Sequence, residues 1–134
     1  MVMKNGYELF FRVDCLSYCL DNPGKDRRKE EKMMTKEEIT MVGFEIVAYS
    51  GEARSKLLLA LEKAKEQHFD ECKSLIEQAN DCLNDAHKAQ TELLSLEARG
   101  EEIAIGFITV HAQDHLMTTL LLKDIVFHLI NIYH

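Results

Sequence analysis

The sequence predicts an all-α protein, an antiparallel up-down-up three-helix bundle. Three observations lead there. Apolar residues recur at helical spacing through three long stretches beyond residue 34, and the breaks between the stretches are short. A single Pro and six Gly in 134 residues leave little room for a turn-rich β fold. At 46% hydrophobic and 29% charged, the composition is globular rather than disordered.

The size fits one domain with a real core. Sixteen Lys and Arg stand against 23 Asp and Glu, a net charge of -7, which disfavours nucleic acid and anionic membrane as partners. No uninterrupted apolar run approaches the roughly 20 residues of a membrane span. Glu8, Arg12 and Asp14 break the early apolar stretch, so a secretory signal is not expected and the chain is placed in the cytoplasm. Cys15, Cys19, Cys72 and Cys82 form no Cys-x-x-Cys pair and have no histidine at finger spacing, so they are expected to be buried or idle thiols.

The composition changes near residue 34. Residues 1–34 carry 7 basic and 6 acidic side chains, whereas 35–134 carry 9 and 17. Between them Lys25-Asp-Arg-Arg-Lys-Glu-Glu-Lys32 has the character of a solvated linker. Upstream, Leu9, Phe10, Phe11, Val13, Leu16 and Leu20 fit a short helix ended by Asn22-Pro23-Gly24, too small to fold alone. Residues 1–34 are thus an extension without an assigned role. An alternative is a mis-assigned start: Lys29-Glu30-Glu31 is encoded by purines alone, which can spell a ribosome-binding site before Met33 and Met34. N-terminal sequencing of natively expressed protein that begins near Met1 would refute that alternative.

The first helix of the main domain, residues 35–134, opens at Thr35. Its hydroxyl can cap the free amides while Glu38 reaches back, as in a capping box. Ile39, Val42, Ile46, Ala53, Leu57, Leu61 and Ala64 follow at helical spacing. Gly43 and Gly51 interrupt this run, each at a cost of up to about 1 kcal/mol relative to Ala, and close approach of another helix is the expected reason. The next turn, Glu66-Gln67-His68-Phe69, has no Gly; if one of its residues must be left-handed, stability suffers by about 1 kcal/mol.

The second helix runs from about Phe69 to Leu96, with Cys72, Leu75, Ile76, Ala79, Leu83, Ala86 and Leu93 inward, and closes at Arg99-Gly100. After a connector, Glu101 to Gly106, the third covers about Phe107 to Tyr133 and is the most apolar. Short connections between helices of roughly 25 to 30 residues give the antiparallel order, and so much apolar surface invites self-association.

The third helix holds the chemistry. Its expected core stripe is Phe107, Val110, Asp114, Met117, Leu121, Ile125, His128 and Ile132, which places an aspartate in an apolar seam. A buried carboxylate needs a partner, a metal or a proton. His111 and His115 flank it in Val110-His-Ala-Gln-Asp-His-Leu116, so three ionisable groups crowd one turn. Three readings compete. His111 and His115 are spaced to ligate zinc with Asp114 nearby, although the general-base Glu of the protease motif is missing. One imidazole can serve as a nucleophile toward phosphorus when the proton on its other nitrogen is held. The blandest is two surface histidines and a solvated aspartate. Spacing alone does not choose among them.

From Glu37 to the C-terminus the sequence resembles the enzyme IIA component of the lactose and cellobiose/chitobiose branch of the sugar phosphotransferase system. The matching stretches are Gly43-Phe-Glu-Ile-Val-Ala-Tyr-Ser-Gly-Glu-Ala-Arg-Ser-Lys56, Ala86-His-Lys-Ala-Gln-Thr-Glu92 and Val110-His-Ala-Gln-Asp-His-Leu-Met-Thr-Thr-Leu-Leu-Leu-Lys-Asp124. The resemblance implies a phosphotransferase component whose His111 accepts a phosphoryl group from the histidine phosphocarrier protein. It then passes the group to a cysteine of a cognate enzyme IIB during uptake of cellobiose- or lactose-type sugars. Contact with the membrane is indirect, through the enzyme IIC component. The resemblance also implies a homotrimer, a nine-helix bundle in which Asp114 of each copy meets one structural magnesium ion on the threefold axis. Gln113 and His115 match as neighbours of His111 that orient its ring or meet phosphate oxygens, with His115 the stronger of the two. His87, in the second stretch, is expected to be a helix-packing histidine. The competing function is a non-catalytic helical trimer with a regulatory or metal-binding role.

Overall fold

The computed structural model describes residues 33–133. They form α1 (Lys36–Lys65), α2 (Phe69–Ala98) and α3 (Phe107–Tyr133), with no strand among the described residues. The short helix expected within 9–20, the charged run 25–32, Cys15 and Cys19 lie outside them.

α1 begins with the expected capping box. The Glu38 amide donates to Thr35 Oγ1 at 3.2 Å, and the Thr35 amide donates to Glu38 Oε2 at 2.7 Å. Glu37 and Glu38 lie in the first turn and Lys63 and Lys65 in the last, so both ends complement the helix dipole.

The exit from α1 puts a residue other than glycine in the left-handed conformation. Gln67 takes the left-handed position at φ 64°; its amide donates to the Ala64 carbonyl at 3.0 Å, and the His68 amide donates to the Lys63 carbonyl at 2.9 Å. α2 closes by the same pair of bonds, but there the left-handed residue is Gly100, at φ 82°.

α1 is the central helix: α2 and α3 both pack along it and meet each other only sparsely. α2 runs antiparallel to α1, since Lys63 reaches Glu71 (3.6 Å) while the earlier Lys56 reaches the later Gln78 (2.9 Å). α3 runs with α1: Gly43 faces Ile108, and further along both helices Thr119 Oγ1 lies 3.5 Å from the Ser50 carbonyl oxygen. A methyl on Gly43 would stand 3.5 Å from Ile108 Cγ1, an ordinary van der Waals contact, so the helices meet at this glycine without requiring it. Gly51 needs another explanation, because a methyl there would meet nothing within 4 Å.

The core is made of Ile39, Ile46, Ala53, Leu57, Ala60 and Ala64 from α1, Cys72, Ala79, Leu83, Ala86 and Leu93 from α2, and Ala112, Leu116, Val126 and Ile130 from α3. Of the inward residues expected on the first two helices, Val42, Leu61, Leu75 and Ile76 are only partly buried, on the flanks of this core.

The third helix differs from expectation. The face it turns to α1 carries Thr109, Ala112, Leu116, Thr119, Val126 and Ile130. The stripe expected to be core is instead bare in the single chain: Phe107 is 90% exposed, Val110 58%, Met117 56%, Leu121 60%, Ile125 46% and Ile132 75%. Asp114 and His128 are exposed with them, so the aspartate has access to water and is not trapped in a seam. The physical reason is that α3 is apolar around most of its circumference, and the smaller side chains allow the closer approach to α1. By length and composition α3 could cross a membrane. Yet His111, Asp114, Lys123 and Asp124 punctuate it, a pattern that suits helix packing better than lipid.

Candidate functional site

The site is the first half of α3 and the part of α2 beside it. His111 is exposed and His115 half-buried; one turn apart, they meet edge to face, with ring centroids 4.5 Å apart and planes at 70°. The backbone beneath them is tied to the next turn. Thr119 Oγ1 donates to the His115 carbonyl at 2.7 Å, and Thr118 Oγ1 donates to the Asp114 carbonyl at 2.7 Å.

Gln113 points elsewhere. It is turned toward α2, where Gln90 Nε2 donates to Gln113 Oε1. Gln90, 8% exposed, lies in the second of the quoted stretches, but nothing in the linear sequence announced its role. Pairing residues 23 apart requires the register between two helices, which no local pattern encodes.

The structure therefore brings His111 and His115 together and separates both from Gln113. Asp114 has no ion-pair partner among the described residues and stands in the bare apolar stripe. Nor do any three His, Cys, Asp or Glu side chains among the described residues converge as a metal site. Among the described residues the zinc reading thus lacks a converging third ligand.

Beside Gln113 lies an apolar cavity of about 360 Å³, walled by Leu93, Leu94 and Glu97 of α2, Ile103 and Ile105 of the connector, and Thr109 and Val110 of α3. His87 is half-buried on α2, and its carbonyl accepts from Thr91 Oγ1 at 2.8 Å. Cys72 and Cys82 are free thiols whose burial pushes their pKa upward, which makes them poor nucleophiles at neutral pH. Lys123 is lowered by burial, against the opposing pull of Asp124.

What this arrangement offers is an accessible imidazole, held by a second ring, on a helix with one unpartnered apolar face. A family model for the lactose/cellobiose-specific IIA subunit of the phosphotransferase system matches residues 41–134. The chain belongs to that family.

Among its relatives, the lactose-specific EIIA component of Staphylococcus epidermidis is 58% identical over 100 residues, 75% of this chain and 96% of that protein. The solved cellobiose-specific enzyme IIA of Bacillus anthracis is 39% identical with a TM-score of 0.69, covering 75% of this chain and 91% of that one. A chitobiose IIA of the Escherichia coli phosphotransferase system, solved in complex with HPr, is 34% identical with a TM-score of 0.59, over 75% and 94% of the two chains. The IIA chain described here is thus similar in sequence and fold to transferase components of this system.

Proposed function

We propose that this IIA chain is a phosphoryl carrier of the sugar phosphotransferase system and that His111 is the acceptor. The observation that carries the reading is the placement of His111: an exposed imidazole, braced edge to face by His115, one turn from Asp114 on a bare apolar stripe.

The chemistry needs little beyond positioning and access. A free ring nitrogen of His111 attacks phosphorus carried on the histidine of the phosphocarrier protein. As the new P–N bond forms, the old one breaks, and its electron pair returns to the carrier's imidazole. In the second step a cysteine thiolate of the cognate enzyme IIB attacks the same phosphorus, and the pair of the departing P–N bond returns to His111. The HPr complex of the chitobiose relative supports the first partner, and the IIA role itself supports the second.

The three helices work as a bundle that assembles into a trimer in the cytoplasm, with enzyme IIC as the only route to the membrane. The bare stripe of α3 is the surface this requires, because three such stripes around an axis remove one another from water. Asp114 then fits magnesium only across copies: each chain supplies one carboxylate, the oxygen ligand that a hard divalent cation prefers. When bound, the ion neutralises the axis, and its role is structural. A purely regulatory trimer is the less favoured reading, since family membership places the chain among transferase components.

The test is intact-mass analysis after incubation with phosphoenolpyruvate, enzyme I and the phosphocarrier protein, comparing wild type with His111→Ala. One acid-labile phosphate, absent from the variant, is expected. A wild-type chain that stays unmodified, or a variant that is still labelled, would overturn the assignment.

A further inference from the structure

The phosphoryl-carrier reading leaves the Gln90–Gln113 contact without a task. A buried amide costs free energy unless its hydrogen bond is made, a demand that an apolar side chain of similar size would not carry. The direction of the bond matters. Gln90 Nε2 donates, so Gln113 Oε1 is occupied as an acceptor and held toward α2. The Gln113 NH2 group, with its two donors, is the end left to face outward.

Where it faces follows from helical arithmetic. If Asp114 points at the axis of a trimer, His111 lies about 60° to one side of it on α3 and Gln113 about 100° to the other. Around a threefold axis of parallel helices, the His111 side of each copy turns toward the Gln113 side of the next. The wall it meets is α2 with its apolar cavity, edged by Val110, Leu93 and Leu94. An apolar wall strengthens whatever polar contact is made across it.

We infer that Gln90 is a positioning residue for phosphoryl transfer: it locks the Gln113 amide with its N–H donors outward, toward the phosphoryl group on His111 of the partner subunit. The inference rests on the carrier function and trimer proposed above. With the amide reversed, a carbonyl oxygen would face the phosphate dianion and repel it.

The test is a double-mutant cycle on the full chain, read as the initial rate of phosphoryl acceptance from the phosphorylated carrier protein. Gln90→Leu and Gln113→Leu are each expected to slow acceptance roughly tenfold, the worth of one hydrogen bond to a charged group. The double variant is expected to be no slower than Gln113→Leu alone, because Gln90 acts only through Gln113. Gln90→Glu, which can only accept and so turns the amide around, is expected to be slower than Gln90→Leu. Side-chain amide NMR signals of Gln113 should move on phosphorylation in wild type and not in Gln90→Glu. Gln90→Leu at the wild-type rate, or a Gln90→Leu loss that persists undiminished in the Gln113→Leu background, overturns the inference. A wild-type chain that takes no phosphate overturns it together with the carrier function, and that outcome is distinguishable from the other two.

Discussion

Gln67 at the end of α1 and Gly100 at the end of α2 hold the same left-handed position in the same pair of capping hydrogen bonds, at φ 64° and 82°. One is the residue that conformation favours and the other is not. The Cβ of Gln67 meets a steric cost there that Gly100 escapes. Replacement by glycine also frees the unfolded chain, which offsets part of the gain. Gln67→Gly is therefore expected to stabilise the protein by about 0.5–1 kcal/mol, raising Tm by a few degrees in calorimetry. Equal or lower stability would mean that the Gln67 side chain contributes more than its backbone costs.

The bare stripe of α3 yields a second expectation. Leu121 is 60% exposed in the single chain and lies two turns along that stripe from Asp114. If three copies of α3 pack through it, burial of each leucine contributes roughly 1.5–3 kcal/mol, and a charge there is unsupportable. Leu121→Glu should sediment as a monomer while keeping its helical circular dichroism, because the side chain is no part of the intrachain core. A Leu121→Glu chain that keeps the oligomeric mass of wild type would move the interface to another face.

These two residues mark what the linear sequence revealed and what it did not. The Thr35–Glu38 box and the stop at Gly100 are local, set by neighbours within a few positions, and they are found where the sequence pattern placed them. Most of the stripe expected on α1 is buried, and the inward stripe of α2 was largely legible because that helix has one apolar face. α3 has two, and periodicity alone could not say which faces α1; hence Asp114 was expected inside and is exposed. The pairing of Gln90 with Gln113 was out of reach for a different reason, since it depends on how two helices register along a third.

Asp114 allows a third test. On a threefold axis, three carboxylates repel unless a divalent cation joins them. If three copies of Asp114 share a divalent ion, its removal with EDTA at neutral pH should lower Tm by about 5 °C, because a ligand bound only to the assembled state stabilises that state by mass action. Asp114→Asn should abolish that sensitivity, having neither charge to neutralise nor a strong ligand to offer. If EDTA destabilises wild type and Asp114→Asn equally, the ion is bound elsewhere.

The edge-to-face contact of His111 and His115 gives the last prediction, one that separates two roles for His115. Such ring pairs contribute about 0.5–1.5 kcal/mol beyond the area they bury, enough to favour one orientation of the His111 imidazole. If that bracing is the role, His115→Phe retains a ring and should accept phosphate at nearly the wild-type rate, while His115→Ala should be slowed roughly three- to tenfold. If His115 instead uses a ring nitrogen to meet phosphate oxygens, the phenylalanine variant should be as slow as the alanine one. The 4.5 Å centroid separation and the 70° angle between the rings favour bracing. Initial rates of phosphoryl acceptance for the two variants, measured beside the His111→Ala baseline, decide the matter, and a phenylalanine variant as impaired as alanine would refute the bracing role.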